Sequence, residues 1–89
     1  MIGELVSWRE LIEEEMEARG DSWENVVSTT LTADELYEKF DSGYGGSEGK
    51  DFTLWTDQRV YFPAVYDGAE WAASAPRNPC GEAMIHVGG

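Results

Sequence analysis

Four glycines within the run Gly43-Tyr44-Gly45-Gly46-Ser47-Glu48-Gly49 split the chain into two stretches whose apolar residues repeat at different intervals. Ahead of the run the interval is three and four, which places side chains on one stripe of an α-helix. Behind it the interval is two, which places them on one face of a strand. The run itself has little to bury and must be a loop. A chain so divided is restricted to helices first and strands second.

From Glu4 to Arg19, Leu5, Trp8, Leu11, Ile12 and Met16 form the apolar stripe, and Gly20 ends the predicted helix because it tolerates a left-handed backbone. Asp21 or Ser22 caps a short turn through Trp23, Asn25 and Val26. Beyond it the β-branched Val26, Val27, Thr29 and Thr30 oppose a longer helix and leave the stretch open between helix and strand. Thr32-Ala33-Asp34-Glu35 is a capping box, predicting a helix from Ala33 to Phe40 that buries Leu36, Tyr37 and Phe40.

After the loop, Phe52 to Thr56, Arg59 to Tyr66 and Ala69 to Ser74 are rich in aromatic and β-branched residues. Thr56-Asp57-Gln58 and Asp67-Gly68 separate them as hairpin turns. Pro63 lacks an amide donor and marks an edge or a bulge. The segment from Pro76 to Gly89 reads as an irregular tail, with Met84, Ile85 and Val87 available for a short strand. The fold expected is α+β, two to three amino-terminal helices packed on a three-stranded antiparallel β-meander. It forms a single domain over 1–89: an acidic helical part at 1–40, the Gly-rich loop at 41–50, and the meander and tail at 51–89.

Eighty-nine residues suffice for one hydrophobic core. Eighteen acids against six bases give a net charge of −12, beyond the magnitude of about 2–8 that keeps a small domain soluble. Residues 1–51 hold fourteen acids and four bases, so the acidity is concentrated there. Direct binding of nucleic acid or of an anionic membrane is opposed by like charge. The single cysteine, Cys80, gives no sign of an oxidising compartment. The opening MIGELVSWREL has neither the basic region nor the apolar run of a signal peptide.

No catalytic or metal constellation is legible, and no cofactor is implied. Tyr44 to Asp51 resembles a phosphate loop only in Gly49-Lys50: Asp51 stands where a hydroxyl should meet magnesium, and a strand rather than a helix follows. A calcium loop starting at Asp41 would put Gly43 and Gly45 at ligand positions and Phe52 where a bidentate Glu is needed. Cys80 and His86 form the one nucleophile and base pair available, with nothing local to lower the thiol pKa.

Glu10, Glu13, Glu14 and Glu17 lie opposite the apolar stripe, with Glu24 beyond the helix. A solvated helix face accounts for most such runs. Here only Arg9 and Arg19 flank the carboxylates, and a row spaced one helical turn apart suits a basic groove in a partner. Trp55, Tyr61 and Trp71 are aromatic candidates for the same contact, core filling being the ordinary alternative.

The stretch FTLWTDQRVYFPAVYDGAEWAASAPRNPCGEAMIHVGG, residues 52–89, resembles the carboxyl-terminal half of a group of short acidic proteins of bacteriophages and prophages. Its marks are WT, VYFP, YDG, PRNP and HVGG. The group has no settled activity. Small acidic phage proteins of this size include anti-CRISPR proteins and DNA mimics. The resemblance therefore implies a non-enzymatic, protein-binding inhibitor in the bacterial host cytoplasm, directed at a basic nucleic-acid-binding protein or complex of host defence. The alternative is a small phage structural or accessory protein that self-assembles through its aromatic sheet face or at the Pro63 edge; a monomer or a homodimer fits the sequence.

Overall fold

The computed structural model describes residues 5–41, 49–66 and 69–84. Its elements run β1 (Leu5–Ser7), α1 (Trp8–Arg19), a 3-10 turn (Trp23–Asn25), β2 (Val26–Thr29), α2 (Ala33–Tyr37), β3 (Lys39–Asp41), β4 (Leu54–Thr56), β5 (Arg59–Tyr66) and β6 (Ala69–Pro76). Two antiparallel sheets result, one pairing β1 with β3 and one of order β2-β4-β5-β6. This corrects the expected fold of two to three helices on a three-stranded meander: the amino-terminal part supplies two helices and three strands.

Each departure has a local cause. The first helix starts at Trp8 rather than Glu4, because Ser7 accepts from the Glu10 amide while the Glu10 carboxylate accepts from the Ser7 amide at 2.9 Å. That capping box frees Leu5 to Ser7 to pair with Lys39 to Asp41, and Leu5 is exposed instead of joining the helix stripe. The β-branched stretch resolves as β2, which pairs with β4 through a register shift between Val26 and Ser28. The second helix stops at Tyr37, where Glu38 turns extended at ψ 132°, so Phe40 reaches the core from β3 and Tyr37 stays exposed.

The core holds Trp8, Leu11, Ile12 and Met16 of α1 against Leu31, Phe52, Leu54, Tyr61 and Ala72. The Trp8 ring lies 4.9 Å from Phe40 and 4.7 Å from Phe52, and its indole N–H donates to the Lys50 carbonyl at 3.0 Å. Gly49 crosses this aromatic cluster so closely that a Cβ would fall 2.6 Å from Trp8 Cζ2. Gly20 closes α1 at φ 73°, as the spacing predicts. The loop residues 42–48, the turn at 67–68 and the tail residues 85–89 lie outside the described residues. Met84 belongs to no strand.

Strand alternation and register assign the two faces of the larger sheet. Leu54 pairs with Tyr61 and Tyr61 with Ser74, so these point inward beneath α1 together with Thr56, Arg59, Glu70 and Ala72. Trp55 pairs with Val60, Val60 with Ala75, Phe62 with Ala73 and Ala64 with Trp71, and these form the outer face.

Candidate partner-binding surface

The sequence-predicted residues fall on different parts of the fold. Glu10, Glu13, Glu14 and Glu17 are exposed on α1, and Glu24 on the 3-10 turn that follows it. Trp55 and Trp71 are half-buried on the outer face of the sheet, the opposite side from α1. Tyr61 belongs to neither surface. It is fully buried, so its assignment to a contact surface is corrected: its hydroxyl donates to Asp21 Oδ2 at 2.8 Å.

Within the ridge the five carboxylates are not equivalent. Glu10 accepts from Lys39 Nζ at 2.7 Å, and that bond, with the Ser7 amide, holds its carboxyl below the usual range. Glu13 is bonded by Arg9 and by the Trp23 indole at 3.1 Å. Glu14, Glu17 and Glu24 have no ion pair among the described residues. Successive turns of the helix set neighbouring carboxylates about 5.4 Å apart along the axis.

The supply of cations explains why these three remain uncompensated. All six Lys and Arg side chains have partners inside the protein: Arg9 with Glu13, Arg19 with Glu15, Lys39 with Glu10, Lys50 with Glu35, Arg59 with Glu82, and Arg77 with the Thr56 carbonyl. Exposed Asp34, Glu38, Asp51 and Asp57 add to the surplus without ion pairs among the described residues.

A cluster beside the ridge escapes local sequence reasoning. The Arg9 guanidinium sits 4.0 Å above the Trp23 ring and 6.0 Å from the Tyr37 ring, and its Nε donates to the Tyr37 hydroxyl at 3.1 Å. Burial opposes protonation of Arg9, yet the bonds to Tyr37 and Glu13 raise its pKa overall. The three residues come from α1, the 3-10 turn and the end of α2, 28 positions apart at the extremes, so no periodicity announces them.

Two polar groups, half-buried Asp21 and buried Arg59, fasten this acidic layer to the sheet. Burial disfavours ionised Asp21, but hydrogen bonds from Asn25, Thr56, Tyr61 and the Ser22 amide outweigh it and hold the carboxyl below its ordinary value. Arg59 is held by both Glu82 oxygens at 3.0 and 3.1 Å, and its Nε donates to Ser74, whose hydroxyl donates to Glu15 of α1 at 2.7 Å.

Clefts by Trp8 and by Pro63 measure about 140 and 180 Å³, below the ~300 Å³ of ordinary small-molecule sites, and a third, shallow and open to solvent, measures about 340 Å³ along the chain after β6, lined by Arg77, Cys80, Glu82 and Met84 among others. Among the described residues no three His, Cys, Asp or Glu side chains are grouped to hold a metal, and no helix is long and apolar enough to cross a membrane. Cys80 is exposed, and its suggested partner His86 lies outside the described residues. Compared with known proteins, the chain matches no family model, no curated protein and no solved structure.

Proposed function

We propose that the protein is a non-enzymatic, phage-type inhibitor that occludes a basic nucleic-acid-binding surface of a host defence complex. The α1 carboxylates stand in for backbone phosphates. The observation that carries this reading is that five of the six cationic side chains are paired with Glu10, Glu13, Glu15, Glu35 and Glu82 and the sixth, Arg77, with a carbonyl, while Glu14, Glu17 and Glu24 are exposed and have no ion pair among the described residues of a molecule of charge −12. A surface of one sign steers a partner of the other and repels nucleic acid itself. Helical spacing supplies the regular row that a phosphate-reading groove requires. Tyr37 and Trp23, stacked about Arg9, supply the aromatic area that anchors protein contacts.

The test is capture from a bacterial lysate at low and high salt, with the bound proteins identified by mass spectrometry. A nucleic-acid-binding protein held at low salt, released at high salt and absent with a Glu14→Lys, Glu17→Lys double variant is the expected result. Capture unaffected by that variant excludes the ridge.

A further inference from the structure

The chain that leaves β6 is bonded to the rest of the molecule at two places. At its root the Arg77 amide donates to the Gln58 carbonyl at 2.9 Å and the Arg77 guanidinium to the Thr56 carbonyl at 2.8 Å, which fixes that residue on the turn between β4 and β5. Further along, the Glu82 carboxylate accepts from both outer nitrogens of Arg59, at 3.0 and 3.1 Å. Residues 77–84 are all exposed and belong to no helix or strand, and even the apolar Met84 is 41 % exposed. Among the described residues no backbone group from Asn78 to Met84 bonds outside the segment: the Glu82 amide donates to Cys80 Sγ, within it. A segment with few buried apolar contacts and few backbone hydrogen bonds is one that opens by itself while the domain stays folded.

The two partners of the far contact differ in kind. Arg59 is a core residue on the inner face of the sheet, 8 % exposed. Its Nε donates to Ser74 of β6 at 2.9 Å, and the Ser74 hydroxyl donates to Glu15 of α1, which also accepts from Arg19. These bonds orient the guanidinium without Glu82, and its two outer nitrogens have no other hydrogen-bond partner among the described residues. Glu82 comes instead from the exposed segment. A bidentate guanidinium–carboxylate pair is directional and strong for a contact of one residue on each side, so it closes and opens as a unit.

We propose that residues 78–84 are a strap, rooted at Arg77 and held shut by the single Glu82–Arg59 pair, that opens while β6 and α1 stay in place. The strap supplies a wall of the cleft of about 340 Å³ that Ala75 and Pro76 line at the end of β6. The pair therefore decides whether that cleft is formed, and opening bares the outer edge of the Arg59 guanidinium.

The inference does not rest on the inhibitor reading, because it concerns neither the carboxylate ridge nor a partner. Nuclear magnetic resonance relaxation of the full chain at neutral pH tests it, through the heteronuclear NOE of the Cys80, Gly81, Ala83 and Met84 amides in wild type and in Glu82→Ala. The expected result is that these amides are as ordered as those of β6 in the wild type and fall to the values of a free chain end in the variant. The amides of Ala69–Pro76 and Trp8–Arg19 should be unchanged between the two proteins. A strap already as mobile as a free end in the wild type, or one equally ordered in the variant, overturns the proposal. So does a variant in which β6 and α1 loosen together with the strap, since the pair would then be part of the core and not a closure of its own.

Discussion

At the residue scale, Gly49 and Asp21 show how single positions hold a small core in register. Any Cβ at Gly49 meets the Trp8 ring and comes within 2.9 Å of Phe40 Cζ, and the Trp8 ring is itself packed against both Phe40 and Phe52. Gly49→Ala is expected to cost about 1–3 kcal/mol by overpacking, measured by urea denaturation. Gly20 has open space around it, so its substitution strains only the positive φ, and Gly20→Asn should cost less than Gly49→Ala. Asp21 gathers Asn25, Thr56 and Tyr61, and Asp21→Asn should destabilise by about 1–3 kcal/mol at neutral pH. Because the folded-state pKa of Asp21 is lowered, its contribution is full above the unfolded value of ~3.9 and is lost as pH falls through the folded value. The stability difference between wild type and Asp21→Asn should accordingly shrink below about pH 4. A difference unchanged down to pH 2 would show that Asp21 is not held ionised by these bonds.

At the element scale, what could be read from the sequence was what short-range chemistry decides. The stripe Trp8, Leu11, Ile12 and Met16 announced α1, and Gly20 its end. Thr32 and Glu35 announced the start of α2, which the structure caps through the same two side chains. The turn after β4 is closed by Thr56, whose hydroxyl accepts from the amides of Gln58 and Arg59. The strands β1 and β3 were not legible, because each is three residues long and exists only by pairing with the other, Val6 with Phe40, across the intervening helices. One local sign was available. Ser7 and Glu10 have the same three-residue spacing as Thr32 and Glu35, and reading them as a capping box would have moved the start of α1 to Trp8. Ser7→Ala is expected to cost about 1 kcal/mol and to fray the first turn of α1, seen as faster amide exchange there, with β1 loosening alongside. Uniform exchange along α1 in the variant would remove the capping box from the account.

At the scale of the whole molecule, the fold sorts chemistry into layers. The exposed acids of the amino-terminal part lie with α1, α2 and the 3-10 turn, while the outer sheet face over β4, β5 and β6 is apolar. The sequence located the carboxylate row but could not show that Lys39 and Lys50, distant along the chain, would take up Glu10 and Glu35 and leave Glu14 and Glu17 alone. Nor could it separate Trp55 and Trp71 from Tyr61, since alternation assigns residues to two faces without saying which is covered. The Arg59 and Asp21 networks couple the helical layer to the sheet, so a partner that grips α1 meets a supported surface.

Charge without a matching internal cation is the centre of the functional account, and the salt dependence of binding measures it. Affinity for the captured partner should be determined across a salt series for wild type and for Glu14→Lys, Glu17→Lys, with duplex DNA as competitor. The account predicts a steep loss of affinity with salt for wild type, a shallower slope and weaker binding for the variant, and displacement by DNA. Equal slopes for the two proteins, with no displacement by DNA, would contradict it.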